Sequence, residues 1–250
     1  MADQQQEEAL GLALARRAYL YSVFHAVFGG SPAPEALQGI FSDQTREALE
    51  FADGLLAQDE LAGLGAALLA DTGRTLGDWS HDAPARVEAA AQRLDDPAFA
   101  EELQSDYTRL LQVPGKDYVH PWESPYVGKE GMVFQENTLD VRSFYHDAGF
   151  KLAAEKQFPD DHIGAMTDYL GRQAMAAYDA FADGDDARAA QLLTVQRDFL
   201  QKHVLTWVDA FAGKIAQNDS RGYYGFFAAA LAAFAHADEA WLGPVIEELG

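Results

Sequence analysis

Only four isoleucines, at positions 40, 163, 215 and 246, occur in the whole chain; valine is scattered and alanine abundant. Strand-type alternation therefore has little material to build on, whereas apolar residues at three- and four-residue spacing recur throughout. The pattern predicts an all-α fold: a multi-helix globular bundle of about nine to twelve helices. A first helix is expected from about Gln5 to Phe28, with Leu10, Leu14, Tyr21, Phe24 and Phe28 on one stripe and Gly29-Gly30 as its stop. Further helices are expected over "SDQTREALEFAD" and "DELAGLGAALLADTG". Asp96-Pro97 then offers an N-cap and a first-turn proline to "AFAEELQSDYTRLLQ".

Residues 113–135, "VPGKDYVHPWESPYVGKEGMVFQ", hold three prolines and three glycines and predict one long loop. It divides a single expected domain, residues 1–250, into helical halves of about 1–112 and 136–250. Beyond it, Asn137 is expected to cap "TLDVRSFYHDA", and Asp160 or Asp161 the helix holding Ile163, Leu170, Tyr178 and Phe181. One long helix follows from about Asp186 to Lys214, with Leu192, Val195, Phe199, His203 and Trp207 sharing a face. Helices around Tyr223–His236 and Asp238–Glu248 complete the chain.

A chain of this size buries roughly 70–75% of its unfolded surface and needs no staple. It contains no cysteine, which removes thiolate metal sites, iron–sulfur clusters, disulfides and cysteine nucleophiles. The net charge of −22, from 40 acidic against 18 basic residues, argues against nucleic acid as a partner. It suits a cationic partner, and equally a surface charged only for solubility. The acidic start "MADQQQEEAL" is unlike a secretory leader, and no apolar run approaches a membrane span, so a cytoplasmic location without membrane insertion is expected.

No phosphate loop, GxSxG elbow or HExxH occurs. His25, His203 and His236 read as histidines of packed or alanine-rich helices rather than ligands. His81-Asp82 and His146-Asp147 keep open an alternative, an HD-type metal-dependent phosphohydrolase, which would need several such ligands to converge. The sharpest cluster is Asp160-Asp161-His162. Helix capping and the positive end of the helix dipole account for the acids, but not for the histidine or the nearby "VHPWESPY".

Four segments in order resemble the TorD/DmsD-like family of molybdoenzyme chaperones, the redox enzyme maturation proteins. "DYTRLLQVPGKDYVHPWESPY" is similar to the family's tyrosine-led helix, Pro/Gly turn and P-[YW]-E-S-x-Y segment, here Pro121 to Tyr126. "FPDDHIGAMTDYL" resembles its E-P-x-D-H-I signature, "FLQKHVLTWVDAFAGKI" its F-L-x-x-H helix and "GYYGFFAAALAAFAHAD" its last aromatic helix. Phe158 departs from a frequent Glu, and Met166-Thr167 from the usual Glu-Leu.

The resemblance implies a non-enzymatic, cofactor-free cytoplasmic chaperone. Its partner would be the twin-arginine leader and body of an apo-molybdoenzyme catalytic subunit, held for cofactor insertion before Tat export. It implies leader binding by Asp161 and His162, with Asp160, and by Glu123, Ser124 and Tyr126 in the facing loop. Trp122, Tyr126 and Phe158 would supply the apolar side, since paired arginines beside an apolar segment call for carboxylates beside an aromatic groove. The client enzyme is left open, as is the choice between monomer and a dimer exchanging halves across residues 113–135.

Overall fold

The computed structural model describes residues 2–70, 72–128, 136–152 and 159–250, and among these there is no strand. Twelve helices follow in order: α1 Ala2–Phe28, α2 Pro34–Ile40, α3 Asp43–Leu56, α4 Ala62–Gly65, α5 Leu76–Ala91 and α6 Pro97–Tyr107. The second set is α7 Ser124–Val127, α8 Glu136–Asp147, α9 Ile163–Ala182, α10 Asp186–Phe199, α11 Val208–Asn218 and α12 Tyr223–Leu249. The all-α expectation holds. No helix among the described residues is long and apolar enough to cross a membrane.

α12 forms the centre. Every residue from Tyr224 to Ala235 is buried, so this helix is apolar on all sides and is surrounded by α3, α5, α10 and α11. α1 buries the predicted stripe of Leu14, Tyr21, Phe24 and Phe28 and runs antiparallel to α9. Small residues let the two backbones close: Gly29 meets Gly164, Tyr21 meets Gly171, and Gly11 meets Phe181. A Cβ built on Gly164 would stand 2.5 Å from the Cα of Gly29.

The same buried face of α1 carries a charge. Arg17 forms an ion pair with Asp238 in the middle of α12, with Nη2 3.0 Å from Oδ2, and also donates to Gln196 at 3.1 Å. Tyr21 donates its hydroxyl to the same carboxylate at 2.7 Å. Both charged side chains are fully buried. This pairing explains why Tyr223–Leu249 is one helix rather than the expected two: the carboxylate is neutralised where it stands.

Several ends form as their sequences dictate. Ser42 caps α3 by accepting from the Thr45 amide, and Asp96 caps α6 by accepting from Ala98. Other expectations are corrected. "DELAGLGAALLADTG" yields only a short turn and the four-residue α4, where Gly63 and Gly65 weaken any longer helix. The sequence around His81 forms α5, started by a reciprocal capping box between Thr75 and Asp78. Asn137 lies inside α8 rather than capping it.

The expected long helix from 186 to 214 is broken. After α10 the chain widens into an i→i+5 turn, the Leu205 amide donating to the Leu200 carbonyl at 2.9 Å. The Trp207 indole N–H then takes the His203 carbonyl at 2.6 Å, the acceptor that the amide of residue 207 would use in a continuous helix. The chain turns and restarts as α11. Of the predicted loop, residues 113–128 are described and contain one helical turn, α7; residues 129–135 lie outside the described residues.

Candidate functional site

Two short segments meet at one end of α9. The Glu123 amide donates to the Asp161 carbonyl at 3.0 Å and the Ile163 amide to the Pro121 carbonyl at 2.8 Å, an antiparallel bridge between Trp122 and His162. The predicted loop and the Asp-Asp-His cluster are thereby joined through backbone. Side chains lock the junction from within. The Asp161 carboxylate, fully buried, accepts the Ser124 amide at 2.8 Å and the Ser124 hydroxyl through the same oxygen. Ser124 Oγ lies 3.0 Å from the Thr138 hydroxyl on α8. The other oxygen of Asp161, Oδ1, is buried with no hydrogen-bond partner among the described residues.

The remaining carboxylates are also internal. Glu123 faces His203, 3.2 Å from Nδ1, in the widened turn after α10. Burial pushes the Glu123 carboxyl up, and the hydrogen bond and charge of His203 oppose that rise. The other His203 nitrogen stands 3.2 Å from an Asp140 oxygen, within ion-pair range but without an aligned hydrogen bond. Asp160 is paired with Arg142 of α8 at 2.5 Å, and its carbonyl accepts the Tyr145 hydroxyl at 3.1 Å.

The cap of α9 is neither Asp160 nor Asp161, as the sequence suggested, but His162, whose Nδ1 accepts from the Gly164 amide at 3.0 Å. An accepting Nδ1 is an unprotonated one. Burial, and then the neighbouring His25, hold His162 down at about 4, well below the usual imidazole value. His25 contacts the same residue, its Nδ1 2.8 Å from the Gly164 carbonyl. The histidine that capping seemed unable to explain is the cap, while the acids secure the loop.

This geometry sets a pH dependence. In the unfolded chain His162 titrates near 6.5, in the folded chain near 4, so the fold holds the neutral form. The stability this contributes is complete above pH 6.5 and is lost as pH falls through about 4. His162→Asn keeps a capping oxygen without the titration. Its loss of stability between pH 6.5 and 4 is expected to be smaller than that of the native chain by about 2 kcal/mol, measured by urea unfolding across that range. Parallel curves for the two proteins would refute the assignment.

Outside this lock lies a row of rings. Tyr118 packs edge-on against His120 with centroids 4.9 Å apart, His120 is 6.3 Å from Trp122, and Trp122 meets His162 at 5.4 Å. Tyr126 rests on Trp207 at 5.1 Å, donates to the His120 carbonyl at 2.9 Å, and carries the Lys214 ammonium 4.5 Å from its ring. His120 is exposed, and Tyr118, Trp122, Tyr126 and His162 are partly so. The structure thus brings Trp122, Glu123, Ser124, Tyr126, Asp160, Asp161 and His162 together; Phe158 lies outside the described residues.

Sequence reasoning missed Arg142 and Thr138, and took His203 only for a core residue. The available signal was helical: Thr138, Val141, Arg142 and Tyr145 fall at i, i+3, i+4 and i+7 on one face of α8. His81 sits on α5 beside Asp53, His146 in the last turn of α8, and no group of three or more potential ligands able to hold a metal occurs among the described residues.

A helical bundle that turns an aromatic surface outward over carboxylates committed to internal bonds has the character of a binding protein. A family profile described as nitrate reductase delta subunit matches residues 78–213, which include Pro121–Tyr126, Asp160–His162 and His203. The chain belongs to this family, the TorD type of chaperone, which is non-catalytic. Chaperone protein TorD of Vibrio cholerae (strain O395) is 29% identical over 160 residues, 64% of this chain and 71% of the relative. That of Vibrio parahaemolyticus is 27% identical over 154 residues, 61% and 70% of the two chains, and that of Photobacterium profundum 28% over 141 residues, 56% and 64%. No solved structure matches.

Proposed function

We propose that this protein is a dedicated cytoplasmic chaperone that binds the twin-arginine leader and apo form of an exported molybdoenzyme catalytic subunit, holding it for cofactor insertion before Tat export. Membership of the TorD family supports a molybdoenzyme client. The observation that carries leader recognition is the Trp122–His162 bridge, which joins the family's two signature segments and turns their rings to solvent over three buried carboxylates. Guanidinium planes stack on aromatic faces and pair with carboxylates, and an apolar segment lies well on Trp122 and Tyr126. Neutral His162 adds no repulsion toward a cationic ligand at neutral pH.

The test uses a fluorescent synthetic peptide with paired arginines followed by an apolar stretch, titrated with the full chain. Binding is expected to weaken with salt, because part of it is charge pairing, and to weaken about tenfold or more in Trp122→Ala, an aromatic anchor. Equal affinity for the native chain and Trp122→Ala would remove the site, and no measurable affinity would remove the function. Capture of the tagged protein from its native host grown anaerobically, with mass spectrometry of its partners, would then name the client.

A further inference from the structure

We infer that Asp160 is a guanidinium receptor which the chain's own Arg142 fills in the free protein, so that a leader arginine binds by taking the place of Arg142. This rests on the leader-binding reading above and adds to it an internal competitor. The difficulty it resolves is plain in the site: a leader arginine needs a carboxylate, yet Asp160, Asp161 and Glu123 are all buried and engaged. One of those engagements is already made by an arginine.

Among the described residues, three buried aspartates are paired with arginine side chains, and they differ in accessibility. At Asp238 both partners are sealed, with 0% exposure of either side chain. At Asp106 two guanidiniums converge on one oxygen, from Arg109 at 3.0 Å and Arg221 at 2.6 Å, and Arg109 is further pinned by Asp117 and the Asn218 carbonyl. No single exchange could vacate that carboxylate. At Asp160 the carboxylate is 1% exposed while Arg142 is 19% exposed, and its Nε and Nη2 both address Oδ2, at 2.7 and 2.5 Å. Arg142 therefore runs from solvent to the buried carboxylate, and a foreign arginine can follow the same path.

Exchange of one arginine for another avoids the main cost of opening such a pair. Removing a partner outright would strand a buried charge, whereas substitution in kind restores the ion pair and releases Arg142 to water. The subsite also discriminates, because Nε and Nη2 together present a planar pair of donors that a lysine ammonium cannot reproduce. The adjacent Asp161 Oδ1, buried without a partner among the described residues, supplies a spare acceptor for a second donor once the junction loosens.

The experiment compares the labelled Arg-Arg peptide on the native chain, Arg142→Ala, Asp160→Asn and Arg46→Ala. The last removes the same charge from the surface of α3 and corrects for the more negative protein. Arg142→Ala is expected to bind about three- to tenfold more tightly than Arg46→Ala, and Asp160→Asn more weakly than the native chain. In the native chain the Arg142 Nε–H resonance is expected to move on peptide addition, saturating with binding. Tight binding that leaves this resonance unmoved overturns the inference alone, as does Arg142→Ala binding no better than Arg46→Ala with a native melting curve. Should Arg142→Ala fail to fold, the native resonance still decides. No binding by the native chain removes the leader reading and this inference together.

Discussion

Gly164→Ala is expected to destabilise the protein by about 3 kcal/mol or more and to lower Tm by roughly 6–12 °C, read by calorimetry. The added Cβ would meet the Gly29 Cα at 2.5 Å, the Gly29 nitrogen at 2.8 Å and the Phe28 carbonyl oxygen at 3.0 Å. All three are backbone atoms, so no side-chain rotation relieves the contact and α1 must move away from α9. That movement also disturbs the His25 contact to the Gly164 carbonyl and the amide that His162 caps. Gly11→Ala is the internal control: its Cβ meets only the Phe181 ring, at 3.3 Å, and alanine favours the helix. A Gly164→Ala protein melting within about 2 °C of the native one, a shift worth under 1 kcal/mol, would show that the helices are not in backbone contact there.

The second large effect lies at Arg17. Arg17→Met leaves the Asp238 carboxylate buried without its cation and is expected to cost about 3–5 kcal/mol. Asp238→Asn alone strands the guanidinium, whose Nη1 already has no partner among the described residues. The double variant Arg17→Met with Asp238→Asn removes both charges and leaves an amide oxygen for the Tyr21 hydroxyl. Its loss is expected to fall short of the summed single losses by about 2 kcal/mol or more in denaturant titrations, since contacting charges are not additive. Simple additivity would mean that the two groups do not interact across the core.

What could be read from the sequence was what is local or periodic. The stripe on α1, its glycine stop, the Asp96 cap and the family segments are patterns within a few turns of chain, and each is present in the fold. Partners far apart in sequence left no such trace. Arg17 interrupts an apolar stripe because of a carboxylate 221 residues away, and Glu123 meets a histidine 80 residues on. The break before α11 depends on one indole N–H choosing a carbonyl, which no helical period encodes. At the site, the residues around Trp122 and His162 could be named, but not which of them caps α9: capping was assigned to Asp160 or Asp161, whereas His162 caps and Asp161 holds the loop through Ser124. That correction follows from the tertiary bond of Asp161 to Ser124, 37 residues away, which adjacent residues in a sequence do not reveal.

The pairing of α1 with α9 and of Arg17 with Asp238 also bears on how the chain is made. Ribosomes deliver roughly 5–20 residues per second, so Arg17 waits about 10–40 s for the partner that neutralises it, the interval set by 221 intervening residues. During that time the apolar stripe of Leu14, Tyr21 and Phe24 has neither α9 nor α12 to cover it. α1, made before α9 and α12, waits for both to be enclosed. A protein of the chaperone class thus carries a partly uncovered apolar helix through much of its own synthesis, until α9 and α12 are both released.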